Sequence, residues 1–246
     1  IDISADWFQR GSPEIGVPVL NLVLSLALES ACARYEIPFG AVDRTLHDRE
    51  EVPALQWAQV NGKIGTRPFG CLLLNDSKHG HSLDGSTLRM SLIRSAYEPD
   101  LLPEIGQHKI QLALLPFAGA MAVDQAVRAG QAFNRSLRVI GTDIHSGAMP
   151  PVGQFINITS GTAVISAVKQ AEDGRDIILR MYNPATRSTT VKLEPNRGII
   201  GSLAAIEKVD LMEQDVGKSP TVKRGAAVMR LGPHDIVTLR LRIKRS

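Results

Sequence analysis

Residues 17–28 read Val17-Pro18-Val19-Leu20-Asn21-Leu22-Val23-Leu24-Ser25-Leu26-Ala27-Leu28. Every even position from Leu20 to Leu28 is leucine, while Asn21 and Ser25 stand among small apolar residues at the odd ones. Side chains of an extended chain alternate between the two faces of a sheet, so this pattern describes a half-buried strand. The alternation returns where Leu88, Met90 and Leu92 interleave with Arg89 and Ser91. It returns again where Val237, Leu239, Leu241 and Ile243 interleave with Thr238, Arg240 and Arg242. Apolar runs at 55–60, 69–75, 109–115, 154–158, 163–168, 176–182 and 189–193 predict further strands.

Turn chemistry separates the runs. Asn61-Gly62, Asp84-Gly85 and Asp173-Gly174 suit positive backbone φ, and Asn183-Pro184 and Gly232-Pro233 mark other turns. Residues 118–133 depart from period two: they are rich in alanine, and Met121, Ala122, Ala126 and Ala129 recur at helical spacing. They predict the one helix. The Gly- and Pro-bearing stretch 142–153 (Gly147, Pro150, Pro151, Gly153) reads as a connector, giving expected domains of 1–150 and 151–246. The expected fold class is all-β with one helix, in two packed β units.

The 246 residues are 43% hydrophobic and 22% charged, enough apolar material for real cores. Aromatics are only 4%, so those cores rest on Leu, Ile, Val and Ala. Net charge is +3, with the basic residues scattered except for Arg240, Arg242, Lys244 and Arg245, read as a solvated strand edge. A nucleic-acid partner is not expected. Cys32 and Cys71 both lie in apolar runs and are expected to be buried thiols in a reducing compartment, with one bridge between them as the alternative. The chain starts on Ile1 with no charged-then-apolar leader, and no apolar run approaches the roughly 20 residues of a membrane helix. It therefore reads as an excised, cytoplasmic fragment with no membrane partner.

Several stretches resemble the α-mannosidases of glycoside hydrolase family 38. Tyr35-Glu36-Ile37-Pro38-Phe39-Gly40 with Asp43-Arg44, and Val52-Pro53-Ala54 with Gln56-Trp57-Ala58, are similar to segments of that family's large β-domain. The most specific match starts at Leu73-Leu74-Asn75-Asp76-Ser77-Lys78-His79-Gly80. It continues through Ser82, Asp84-Gly85, Thr87-Leu88-Arg89 and Ser91-Leu92 to Arg94-Ser95. Tyr97-Glu98-Pro99-Asp100, Glu104-Ile105-Gly106 and His108 complete it. Glu172-Asp173-Gly174 and Leu179-Arg180-Met181-Tyr182 resemble the family's last small β-domain more loosely.

The resemblance implies the later part of a galactose-mutarotase-like β-supersandwich followed by a smaller β-sandwich. It implies a parent enzyme that hydrolyses terminal α-linked mannose from oligosaccharides, through paired carboxylates and a covalent intermediate. The family's zinc ligands and carboxylates lie in an N-terminal α/β domain and helical bundle with no matching segment here. No catalytic residue or metal ligand is therefore carried over, and zinc is expected only in the catalytic domain. This chain's part would be scaffold, cleft wall and oligomer contact, with the catalytic domain of the same polypeptide as its partner.

Candidate residues carry bland readings beside sharp ones. His79-Gly80-His81 lacks the three or four ligands of a zinc site and reads as two solvated loop histidines. Asp76 and Asp84 mimic a glycosidase acid pair, but Asp84-Gly85 makes a turn and Asp76 suits bonding to nearby backbone N–H groups. Glu98 and Asp100 join them around the expected hairpin at 69–94, which the resemblance places beside the sugar cleft. Arg94 continues the alternation of Leu88, Met90 and Leu92, so it is expected on their face, either anchored by a carboxylate or reaching the sugar. Arg94 and Asp76 are the expected substrate-binding residues. Trp57 reads as core; Trp7 and Trp57 would otherwise offer a sugar-stacking platform. The sequons at Asn134 and Asn157 carry little weight without a secretory signal. Two other functions remain open: a free-standing carbohydrate-binding sandwich, marked by an exposed aromatic platform, and a structural interaction domain, marked by a bare apolar face.

Overall fold

The structure is a computed structural model and describes residues 1–44, 50–100, 102–147, 149–158 and 161–244. The chain divides into two compact units, Ile1–Leu137 and Arg138–Ser246. All strand pairings among the described residues are antiparallel.

In the first unit the strands are β1 (Asp2–Trp7), β2 (Val19–Ser25), β3 (Glu29–Ile37), β4 (Gly40–Arg44) and β5 (Val52–Pro53). β6 (Trp57–Ile64), β7 (Arg67–Asn75), β8 (Gly80–Asp84), β9 (Thr87–Arg94) and β10 (Gly106–Ala118) follow, and then the helix α1 (Val123–Asn134). They form a six-stranded sheet, β1-β10-β7-β6-β3-β4, and a four-stranded sheet, β2-β9-β8-β5. Val60, Leu73, Ile110 and Leu112 of the first meet Leu88, Met90, Leu92 and Ile93 of the second in one buried cluster. The leucines at 20, 22, 24, 26 and 28 pack on that cluster, while Val19 and Val23 stay exposed, as the alternation requires. Full burial of a leucine contributes about 1.5–3 kcal/mol, and these are half-buried. A one-residue slip of β2 would turn Leu20, Leu22 and Leu24 to solvent together and would cost a few kcal/mol.

α1 covers the opposite face of the six-stranded sheet. It contacts β6 and β7 and buries Ala126, Val127 and Gly130. Gln59 on that face donates to Met121 O at 3.4 Å. β7 is thus buried on both sides, which is why Cys71 to Asn75 form an unbroken buried run. The helix begins five residues later than its alanine content suggests, because Ala118 still pairs with Phe69 at the end of β10 and Gly119 then turns at φ 79°.

Several expectations about the first unit need correction. Asn61-Gly62 is no turn: both residues sit inside β6, opposite Gly70 and Phe69, and the turn follows at Gly65 with φ 61°. Gly62 is needed because a β-bulge in β3 brings Leu28 Cβ and Glu29 O within 2.9 Å of where its own Cβ would stand. The stretch 69–94 is not one hairpin, since β7 lies in the six-stranded sheet and β8 and β9 in the other. Arg94 does not share the face of Leu88 and Met90. Leu20 pairs with Ile93 but Asn21 with Ser91, so Leu92 is the extra residue of a bulge, and the parity flips. Leu92 and Ile93 are both buried and Arg94 points out. Cys32 is exposed; only Cys71 is buried.

The second unit contains β11 (Ile156–Ile158), β12 (Val164–Gln170), β13 (Ile177–Tyr182), β14 (Thr189–Pro195), β15 (Ser202–Val209), β16 (Val222–Lys223), β17 (Ala226–Leu231) and β18 (Ile236–Lys244). Sheets β11-β14-β17-β16 and β12-β13-β18-β15 enclose a core of Leu179, Met181, Val191, Leu193, Leu203, Ile206, Leu239 and Leu241. β18 is an interior strand, so its basic residues do not stand at a sheet edge, although Arg242 and Lys244 are solvated as read. Arg240 pairs with Asp173 and Glu213, both at 3.3 Å, and Arg242 with Glu207 at 2.7 Å. Arg245 lies outside the described residues.

Candidate functional site

The loop after β7, residues 75–79, is the stretch that the sequence singles out most sharply. Its first residue, Asn75, is 1% exposed and acts as a clamp. Its Nδ2 donates to Leu55 O at 3.1 Å, and its Oδ1 accepts from Lys78 N at 2.8 Å. Its backbone N donates to Gln56 O at 3.0 Å, and Asn134 Nδ2 of α1 donates to its carbonyl at the same length. Glu36, itself buried, accepts from Gln56 N at 2.6 Å; burial raises its pKa above the ordinary value. At the far end of the loop His79 Nδ1 lies 3.0 Å from Ala54 O. A polar residue without a partner costs about 1–3 kcal/mol once buried, so these bonds fix the loop in one conformation.

Asp76 is exposed on this clamped loop. Its carboxylate accepts from Ser77 Oγ at 3.0 Å and from Gln111 N at 3.2 Å, which is the backbone-bonding role read from its sequence position. Asp84 ion-pairs with Arg89 at 3.5 Å beside the Gly85 turn. Asp100 accepts from Leu102 N at 2.9 Å within its own loop. Arg94 ends β9. Because Gly80 pairs with Ser91, the start of β8, and with it the 76–79 loop, lies at the same end of the sheet as Arg94.

The two histidines part company. His79 is exposed, whereas His81 is fully buried, against its reading as a solvated loop residue. His81 pairs with Val52 on the inner face of the sheet, and its ring lies 6.2 Å from that of Tyr35. Burial pushes the His81 pKa down to about 4 and that of Tyr35 up to about 12. β8 is too short for its period to reveal this. Among the described residues no three His, Cys, Asp or Glu side chains gather to hold a metal ion, so these residues do not fit a zinc site.

Trp57 is wholly buried, and Trp7 packs on the first unit's core with its Nε1 donating to Ser95 Oγ at 2.7 Å. Neither ring forms an exposed platform. Asn134 is engaged with Asn75 and Gly130, and Thr159 of the second sequon lies outside the described residues. No helix among the described residues is long and apolar enough to cross a membrane.

Two family models match in succession. The glycosyl hydrolases family 38 C-terminal domain matches residues 14–101, and the glycosyl hydrolases family 38 C-terminal beta sandwich domain matches 162–239. Both describe C-terminal domains of glycosyl hydrolases, and that is the class of this chain. The chain belongs to glycosyl hydrolase family 38 and comprises its C-terminal region. Alpha-mannosidase G of Dictyostelium discoideum is 27% identical over 85% of this chain and 19% of its own length. Human alpha-mannosidase 2C1 is 32% identical over 66% of this chain and 16% of its own length. The chain thus spans less than a quarter of these relatives. An alpha-mannosidase from Enterococcus faecalis V583 superposes over 90% of this chain and 25% of its own with a TM-score of 0.72 at 14% identity, a likeness of fold.

Proposed function

We propose that the chain is the non-catalytic β scaffold of an α-mannosidase, completing one wall of the sugar cleft that a catalytic domain of the same polypeptide provides. The observation that carries this reading is the succession of two family 38 C-terminal domains, in order, along one chain. The parent enzyme removes terminal α-linked mannose from oligosaccharides in the cytoplasm, with zinc held by its catalytic domain. Scaffold strength comes from the two sandwich cores, and the clamped 75–79 loop gives the wall a fixed shape.

Arg94 and Asp76 are the proposed sugar contacts. Arg94 offers guanidinium donors at the sheet end where the loop also stands, and Asp76 offers a carboxylate held by Ser77 and Gln111. A charge-assisted hydrogen bond to a substrate hydroxyl contributes about 1.5–3 kcal/mol. Arg94→Ala in the full-length enzyme should therefore lower kcat/KM roughly ten- to a hundredfold with the melting temperature unchanged. Normal kinetics would remove Arg94 from the cleft.

A further inference from the structure

The outer face of the β2-β9-β8-β5 sheet carries a polar hollow that the loop does not use. Register sets its floor: Asn21 faces Ser91, which faces Gly80, and in the next row Val23 faces Arg89, which faces Ser82. Asn21, Glu51, Gly80, His81, Ser82, Arg89 and Ser91 line a cavity of about 280 Å³. The site depends on the glycine. A Cβ on Gly80 would stand 1.8 Å from Glu51 Oε1, so the missing side chain is what lets the carboxylate lie over the sheet.

Ser91 Oγ stands 3.1 Å from Asn21 Oδ1 and 3.0 Å from Glu51 Oε2, yet a hydroxyl carries one hydrogen. It can satisfy only one of these acceptors at a time. Arg89 Nη1 ion-pairs with Asp84 at 3.5 Å and, among the described residues, makes no hydrogen bond. A carboxylate and a guanidinium therefore line one small hollow. An anion would meet Glu51 and a cation would meet Arg89. A neutral polyol satisfies both.

We infer that this hollow is a subsite for one neutral pyranose unit. Glu51 and Asn21 accept from a vicinal pair of hydroxyls, and Arg89 donates to a neighbouring oxygen. The volume lies at the small end of ligand pockets, which run from roughly 300 to 1,000 Å³, and so suits one ring rather than an oligosaccharide. With no Phe, Tyr or Trp in the described lining, and His81 fully buried, no ring stacks on the sugar and affinity is of millimolar order, about 4 kcal/mol. The choice of a sugar among polyols rests on the glycan-processing role proposed above.

The test is an NMR titration of this chain, amide shifts being followed as methyl α-mannopyranoside is added to about 50 mM, with inorganic phosphate as a second probe. Saturable shifts at Asn21, Glu51, Ser82, Arg89 and Ser91 are expected with the mannoside and not with phosphate. Glu51→Gln and Arg89→Gln should each weaken binding roughly tenfold. Gly80→Ala, which forces the carboxylate aside, should do the same. A variant that fails to fold leaves the wild-type titration to decide. Absence of saturable shifts at these residues, or tighter binding of phosphate, overturns the inference. Mannoside binding here without turnover by the full-length protein would refute the α-mannosidase reading alone; turnover with an unperturbed hollow would refute only the subsite.

Discussion

Asn75→Ala tests whether the 75–79 loop is clamped as its hydrogen bonds imply. The substitution removes the bonds to Leu55 O and Lys78 N and leaves both groups without their partner. Each lost bond costs about 1 kcal/mol net, and more where water cannot replace the amide, so about 2–3 kcal/mol is expected. For a domain the size of the first unit that is a fall of roughly 6–15 °C in Tm. Both tryptophans of the chain, Trp7 and Trp57, lie in the first unit, so tryptophan fluorescence follows its melting without signal from the second. Asn75→Asp refines the test. It keeps the acceptor for Lys78 N, loses the donor to Leu55 O, and places a carboxylate where only 1% of the residue is exposed. Burial favours the neutral acid, so this variant should recover stability as pH falls and the carboxyl can donate again. A fall below about 2 °C for Asn75→Ala, outside the range expected for two lost bonds, would refute the clamp.

Other perturbations reach other parts of the fold. His81 titrates at about 4 when folded against 6.5 in the free side chain, so the unfolded chain binds its proton first as pH falls. Its contribution is intact above about pH 6.5 and is lost toward pH 4, a drop of about 3 kcal/mol in the first unit that His81→Leu should flatten in pH-dependent denaturant titrations. Glu213 has its pKa lowered by the hydrogen bond from Lys169 and then by Glu172 N–H. The bond to Lys169 is 2.8 Å, and Arg240 adds a second ion pair. Stability from that network should hold above the ordinary glutamate value and fade below it, and Glu213→Gln should remove the fading in circular-dichroism melts of the second unit. Cys32 should react with a thiol reagent in the native state, whereas Cys71, whose thiol pKa burial raises, should react only on unfolding.

Much of the fold is legible where a strand has one wet face. The leucines from Leu20 to Leu24 and the alternation at 236–243 mark sheets whose two sides differ, and both are found as strands, whereas Leu26 and Leu28 lie beyond the end of β2. Legibility fails where a tertiary neighbour overrides the local signal. Asn61-Gly62 looks like a hairpin turn, but its glycine answers to the bulge of β3. The actual β3–β4 turn uses Pro38 and Phe39, the latter at φ 61°, a residue type that carries no turn signal. A bulge at Leu92 reverses the side on which Arg94 stands, and no alternation rule shows a bulge. At the loop, the structural role of Asp76 is readable from its type and place. The burial of His81 and the gap over Gly80 filled by Glu51 depend on β5 and appear only in three dimensions.

The central claim is that this chain supports sugar chemistry it does not perform. Hydrolysis of an aryl α-mannoside with zinc or cobalt added, by the purified chain and by a protein carrying the same residues after a family 38 catalytic domain, measures it directly. The account predicts turnover by the longer protein and none by the chain. Turnover by the chain that persists through further purification and vanishes on replacing Asp76 or Asp84 would contradict it.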